Sequence, residues 1–295
     1  MNFYKLNEGA KGWINGFIGM LIFSASMPAT KVAVTGFDPV FLTASRAGIA
    51  AMLAALLLVL CREKLPDKTD ILSLLIVAIG VVIGFPLLTA RALQQISASY
   101  SMVFIGLLPL AAAVFGVLRA GERPGGLFWL FAVFGSMIVA GFALSSGGET
   151  SLSGNLYMAG AIIICALGYA EGGRLARTLG GWHVISWALV ISLPFMVILM
   201  FFTWPENFAN VDTGAWAGLI YVSVFAMLIG FIFWYRGLAQ GGIATVGQLQ
   251  LLQPFFGLML AAVLLGEQVT FAMLAVSAIV VLCVACAKYF SQAQK

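Results

Sequence analysis

Charged residues are scarce in this chain of 295 residues: Asp, Glu, Lys and Arg make up only 9% of it, against roughly a quarter in soluble domains. Hydrophobic residues make up 62%. The P-loop pattern GxxxxGK[ST] is missing, which argues against ATP hydrolysis. The apolar runs are continuous over about 20 residues and do not alternate with period two, which excludes a β-barrel. We therefore expect an all-α integral membrane protein.

Residues for metal or redox chemistry are also few, with one histidine and four cysteines. Cys283 and Cys286 have the spacing of a redox motif, but they lie in an apolar helix without the βαβ context of that motif. The sequence has no cluster of His, Asp and Glu at one membrane depth, which disfavours an integral membrane enzyme. We expect no cofactor and no metal. The basic residues stand at helix ends, as membrane orientation requires. We therefore expect the lipid bilayer as a partner and no nucleic acid, although the net charge is +4.

Ten apolar runs, numbered here as spans 1 to 10, predict ten transmembrane helices joined by short connections. They cover approximately residues 12–30, 39–61, 70–90, 97–118, 126–144, 153–173, 182–203, 213–235, 244–265 and 270–288. The connections leave no room for a soluble domain.

Lys and Arg lie mostly on one predicted side of the bundle. Twelve of them fall on the side of the two termini, and two, Lys31 and Arg91, on the other. Since cytoplasmic loops are rich in Lys and Arg, both termini should be cytoplasmic. The expected location is the cell's inner (cytoplasmic) membrane.

The chain repeats itself at an offset of 145 residues. Residues 91–122 and 236–267 share seven identities in 32 positions without a gap, among them Pro109 with Pro254 and Glu122 with Glu267. Five spans in each half is an odd number, so the second half must enter the membrane upside down. We expect two inverted five-helix repeats, 1–149 and 150–295, in one transport domain.

Two five-span halves, each with a proline-broken fourth helix followed by Gly-Glu, resemble the drug/metabolite transporter superfamily. Within it the chain is similar to the EamA-type ten-helix exporters over essentially its whole length, and the segment 169–174, YAEGGR, resembles the aromatic amino-acid exporters. The resemblance implies export of amino acids, metabolites or toxic compounds. It also implies a central cavity lined mainly by spans 1, 3, 4, 6, 8 and 9.

Helix breakers near the membrane midplane are the candidate hinges. Proline lacks an amide hydrogen and clashes with the carbonyl four residues back, so Pro109 and Pro254 should interrupt spans 4 and 9. Such breaks line cavities in transporters, although proline also serves as a simple kink. Pro28 in span 1 corresponds to Gly173 of the Gly172-Gly173 pair in span 6, so both helices should be weakened there.

Polar side chains within the apolar spans are the candidate substrate contacts. Amides are costly in lipid and should point inward, where they bind cargo or simply bond neighbouring helices. Tyrosines suit an aromatic-lined cavity, with membrane-interface positions or packing as the alternative. The candidates are Gln248, Gln250, Gln253, Tyr100, Tyr157, Tyr169 and Tyr221.

Three charged residues are candidates for a gate or for coupling. Arg46 stands about seven residues into span 2, where it either snorkels outward toward Asp38 or faces the cavity. Glu171 pairs with Arg174 at i+3, or binds a cation or a proton. Lys31 is placed to close the outer mouth or to bind a carboxylate.

The sequence thus predicts a secondary transporter that exports amino acids or related small amphipathic metabolites by alternating access. A passive channel, an exporter of toxic organic cations and, last, a membrane enzyme are the alternatives. Oligomeric state is left open, with a monomer compatible with the pattern.

Overall fold

The computed structural model describes residues 8–120, 126–145, 151–241 and 247–292. Within these ranges the chain is helical, with short connections and no strand. In the first half the spans are Glu8–Ser24 with Ser26–Ala33, Pro39–Leu60, Ile71–Leu93, Ala98–Ile105 with Leu108–Ala120, and Gly126–Ser145. In the second half they are Leu152–Leu179, Gly181–Phe202, Thr213–Gly241, Gly247–Leu265 and Phe271–Gln292.

These helices confirm the ten-span architecture in the residues described. Six of them are long and apolar enough to cross a membrane, and four shorter apolar helices occupy the positions of spans 4, 5, 9 and 10. With five spans in each half, the second half runs in the opposite orientation to the first.

Side-chain caps fix where the even-numbered spans begin. Asp38 accepts hydrogen bonds from the amides of Val40 and Phe41 at 2.7 and 3.3 Å, and Pro39 follows it in the first turn. Ser97, Ser151 and Asp212 cap spans 4, 6 and 8 in the same way. The caps satisfy amides that have no partner within the helix.

The two halves interlock through equivalent pairs of spans. Span 1 packs on span 8 and span 6 on span 3, so the first span of each half lies against the third span of the other. Spans 2 and 7, 4 and 9, and 5 and 10 also pack against each other. The two largest buried apolar clusters contain residues from both halves, so the repeats share one core.

Glycines allow the closest of these contacts. A Cβ placed on Gly80 would lie 2.8 Å from the carbonyl oxygen of Ile164 and 2.9 Å from the Cα of Gly168. The equivalent contact of spans 1 and 8 brings Gly237 so close to Gly16 that a Cβ would lie 2.5 Å from its nitrogen.

Three spans are broken near their middle, each beside a predicted proline. Span 4 is interrupted at residues 106–107, and span 9 changes from a 3₁₀ helix, Gly247–Leu252, to an α-helix, Gln253–Leu265, one residue before Pro254. Span 1 breaks at Ala25, ahead of Pro28. Span 6 runs from Leu152 to Leu179 through Gly172 and Gly173 without a break, so the expected weakening there stays a prediction.

Spans 3 and 8 contain π-helical segments that the sequence analysis missed. These are Ala78–Gly84 and Tyr221–Ile229, and shifting the first by 145 residues places it inside the second. A π segment interrupts the α-helical ladder and often marks a functional site.

Candidate functional site

A small central cavity lies where the broken and π-helical spans meet. Its volume is about 30 Å³, room for only one or two water molecules. Both halves contribute to its wall. The lining residues are Phe23, Ser26, Met27, Arg46, Val81, Phe85, Pro86, Leu108, Cys165, Tyr169, Ala226, Met227, Phe231 and Gln253.

Some of the lining residues occupy equivalent positions in the two repeats. Three pairs of lining residues are separated by the repeat offset of 145: Val81 with Ala226, Pro86 with Phe231, and Leu108 with Gln253. These pairs belong to spans 3 and 8 and to spans 4 and 9. Equivalent positions of the two halves therefore line one cavity.

Arg46 faces this cavity and does not snorkel. Its side chain is only 5% exposed, and Asp38, the proposed snorkelling partner, instead caps span 2. The Nε of Arg46 has no hydrogen-bond partner, and no described carboxylate pairs with its guanidinium. The equivalent position in the second half is Ile191. A single buried cation thus breaks the symmetry of the wall.

One of the predicted glutamines lines the cavity, and a second lies three residues before it in span 9. Gln253 lines the cavity, and its Nε2 donates to the carbonyl of Phe23 at 3.4 Å while its Oε1 has no partner. Gln250 is buried, and its Nε2 has no hydrogen-bond partner. The side chain of Gln248 lies outside the described residues. The amides at the break of span 9 keep unused hydrogen-bonding capacity beside the cavity.

The remaining predicted tyrosines lie away from the lining. Tyr221 donates to the carbonyl of Ile22 at 2.8 Å, three residues before the break of span 1. Tyr100 is buried and stacks on Phe142 with ring centroids 5.0 Å apart. Tyr157 is half-buried and packs against the buried apolar cluster that contains Tyr100.

Lys31 and Glu267 lie at the end of the bundle where the even-numbered spans begin. The Nζ of Lys31 donates to the carbonyls of Leu93 and Ile96 at 2.7 and 2.9 Å. The carboxylate of Glu267 accepts from the amides of Ala98 and Ser99 at 2.9 and 2.7 Å, where a helix N-terminus favours negative charge.

Both side chains therefore bind the 93–99 turn, between spans 3 and 4, from spans 1 and 9. Gln95 of the same turn also accepts hydrogen bonds from Ser151 and Ser153 at the start of span 6. We call Lys31, Glu267 and this turn the clamp, and this end of the bundle the clamp end. The contact of Glu267 was not predicted, and its counterpart Glu122 lies outside the described residues.

Glu171 forms a polar bridge near the opposite end. It is fully buried, accepts from the hydroxyl of Ser73 at 2.6 Å and pairs with Arg174, as its i+3 spacing indicates. Arg174 also donates to Ser73 at 2.7 Å. The bridge ties span 6 to the start of span 3.

The predicted hinge residues have different surroundings. Pro28 and Pro254 are buried beside the breaks of spans 1 and 9, whereas the side chain of Pro109 lies outside the described residues. Gly172 gives room to Tyr235, since a Cβ there would lie 2.6 Å from its hydroxyl oxygen. Gly173 has no atom within 4 Å of its Cβ position.

Sequence reasoning missed most of the apolar lining, including Cys165 and the phenylalanines of spans 1, 3 and 8. Nothing distinguishes these residues from ordinary apolar core in composition. The repeat offset is the one signal that finds some of them. Applied to Gln253 it leads to Leu108, and applied to Pro86 it leads to Phe231.

A multi-span helical bundle with interlocked halves and a cavity at paired helix breaks is typical of membrane transporters. Comparison with known proteins gives the family. Residues 10–146 and 152–288 each match the EamA-like transporter family, so the match repeats in the two halves. The chain belongs to this family.

Relatives agree with that assignment. The protein named "Uncharacterized transporter YdeK" of Bacillus subtilis (strain 168) is 60% identical over 287 residues, covering 97% of this chain and all of that protein. A "Probable terminal-alkyne amino-acid exporter" of Streptantibioticus cattleyicolor is 21% identical, covering 84% of this chain and 83% of that protein. A crystal structure with 18% identity superposes with a TM-score of 0.64 over 94% of this chain and 97% of that one, which supports the fold.

Proposed function

We propose that this transporter exports amino acids or related small amphipathic metabolites by alternating access through the central cavity. The observation that carries the proposal is the position of the cavity. It lies where spans 1, 4 and 9 break and spans 3 and 8 turn π-helical, and equivalent residues of both halves line it. Binding sites of inverted-repeat transporters are built at such discontinuous helices.

The size of the cavity indicates a closed state. A volume of about 30 Å³ is far too small for an amino acid, so cargo requires the walls to separate. The breaks beside Pro109 and Pro254 are the proposed hinges, with Pro28, Gly172 and Gly173 as further candidates. Opening at the clamp end requires release of Lys31 and Glu267 from the 93–99 turn.

The nature of the wall supports an amphipathic cargo. Phe23, Phe85 and Phe231 offer apolar faces, while Gln253 and Tyr169 offer polar atoms. The distant relative named as an amino-acid exporter fits this class of cargo. Tyr100, Tyr157, Tyr221 and Gln248 stay predicted contacts for a conformation with a wider cavity, and Glu171 stays a predicted coupling carboxylate.

We place the chain in the cytoplasmic membrane with both termini cytoplasmic, since twelve of its basic residues fall on the terminal side. The clamp end is then the outer end. The division into repeats 1–149 and 150–295, acting as one transport domain, remains part of this proposal.

Counterflow in proteoliposomes tests the function. Vesicles loaded with unlabelled L-phenylalanine or L-leucine should accumulate the labelled amino acid above its equilibrium level, because an alternating-access carrier exchanges solutes. Tetraphenylphosphonium serves as the organic-cation comparison, and protein-free vesicles as the background. Unsaturable flux without counterflow would identify a channel. Exchange of the cation alone would replace the amino-acid proposal.

A further inference from the structure

We propose that Arg46 is the binding site for the carboxylate of the cargo, so that the substrates are monocarboxylates with an apolar body. This inference rests on the proposed function and names the substrate class of the same cavity. Its basis is a buried guanidinium that faces the cavity and has no acidic partner.

The charge balance of the cavity requires an anion. Arg46 is the one charged residue among the described residues that line it, and its side chain is 5% exposed. A buried charge is strongly unfavourable unless it is paired and hydrogen-bonded. The ion pair of Glu171 with Arg174 lies outside the lining of this cavity. The missing counter-charge therefore comes from a ligand.

The geometry of a guanidinium favours a carboxylate. Its planar fork of donors matches the two carboxylate oxygens in a bidentate contact. One guanidinium pairs with one carboxylate group, which favours a monocarboxylate over a phosphate dianion. A cationic cargo would add a second positive charge beside Arg46, which disfavours the organic-cation alternative.

The atoms around Arg46 suggest how the rest of the cargo binds. The Oε1 of Gln253 is a buried acceptor without a partner, available to an N–H or O–H donor of the ligand. The rings of Phe23, Phe85 and Phe231 line the same cavity and would cover an apolar body. An α-amino acid with an apolar side chain meets all three requirements, with its carboxylate on Arg46.

Only the first half of the chain has an arginine at this position of the repeat. The repeat places Ile191 opposite Arg46, so a second cation is absent where symmetry would put it. Two buried arginines would require two anions, whereas a single one selects a ligand with one carboxylate at one end. The asymmetry thus fixes the orientation of the cargo.

The test compares acid and non-acid probes on wild-type protein and variants in proteoliposomes and in detergent. The probes are L-phenylalanine, phenylacetate, L-phenylalanine amide and phenethylamine. Variants are Arg46→Gln and Arg46→Lys, with Arg91→Gln as the matched control, since Arg91 is a half-buried arginine at the end of span 3, outside the lining. Counterflow measures transport, and thermal stabilisation by each probe measures binding.

We expect wild-type protein to prefer the two acids, and Arg46→Gln to weaken their apparent affinity at least tenfold while Arg91→Gln leaves it unchanged. Arg46→Lys should lie between, since it keeps the charge and loses the fork. Equal handling of acids and amides, or unchanged affinity in Arg46→Gln, would overturn the carboxylate site and leave the transport proposal standing.

Thermal stabilisation by the probes distinguishes failure of the transport proposal from failure of the carboxylate site. If wild-type protein transports none of the probes, the proposed amino-acid transport fails. The anion site then stands only if phenylacetate raises the melting temperature of wild-type protein and not that of Arg46→Gln. No stabilisation of wild-type protein by either acid would overturn it.

Discussion

Replacing Glu267 with Gln should open the clamp end of the bundle. The two carboxylate oxygens accept the amides of Ala98 and Ser99 at 2.9 and 2.7 Å. The Glu267→Gln variant would keep one acceptor oxygen and lose the charge, which also acts on Lys31. A hydrogen bond to a charged group contributes about 1.5–3 kcal/mol. Because Glu267 is only half-buried, we take the lower part of that range, about 1.5–2 kcal/mol.

That free energy corresponds to a roughly 10- to 30-fold larger population of states open at this end. Cys165 is the reporter, because it lines the cavity and is buried. In a background with Cys61, Cys283 and Cys286 replaced by Ser, the rate of labelling by a membrane-impermeant thiol reagent is measured from the clamp side. Glu267→Gln should raise that rate by about the same factor.

Glu206→Gln is the matched control for this change. Glu206 is exposed in the loop between spans 7 and 8, at the same end of the bundle. The control should leave labelling of Cys165 unchanged. Equal rates for Glu267→Gln and the parent, or an equal rise in Glu206→Gln, would refute the role of the clamp.

Three further predictions concern hinges, packing and the cavity wall. Pro109→Ala and Pro254→Ala should reduce counterflow severalfold at unchanged expression, because restored helical hydrogen bonds would stiffen spans 4 and 9. Unchanged counterflow in both variants would refute the proposal that the prolines are hinges. Gly80→Ala should lower the free energy of unfolding in detergent by about 1–3 kcal/mol, because its Cβ would lie 2.8 Å from a backbone atom. Gly48→Ala is the control and should leave the free energy of unfolding unchanged, because its Cβ would have no atom within 4 Å. Equal free energies for the two variants would contradict the packing. Gln250→Leu should weaken apparent affinity for cargo and leave yield unchanged, because the buried Nε2 of Gln250 has no partner within the protein; equal affinity would make Gln250 a packing residue.

The helix breaks could be predicted from proline, because its effect on a helix is local and steric. The breaks of spans 4 and 9 follow from Pro109 and Pro254 in this way. Glycine was a poorer guide, since the Gly172-Gly173 pair stays helical and gives its space to Tyr235. A missing side chain permits a bend or a close contact, and tertiary packing decides which.

The π-helical segments and the clamp depend on contacts between distant parts of the chain. Nothing local in Ala78–Gly84 separates a π-helix from an α-helix, and its equivalence to part of Tyr221–Ile229 becomes visible only in the fold. Glu267 binds amides about 170 residues earlier in the chain. The sequence left two orientations open for Arg46, snorkelling toward Asp38 or facing the cavity, and its burial in the cavity wall together with the use of Asp38 as a helix cap decides between them.

Alternating access is tested most directly by labelling Cys165 from both sides of the membrane. The same single-cysteine protein is placed in right-side-out and inside-out vesicles, with and without Glu267→Gln. A carrier predicts opposite changes: release of the clamp raises labelling from the clamp side and lowers it from the other side. A rise from both sides together would show a continuous pore and contradict the account.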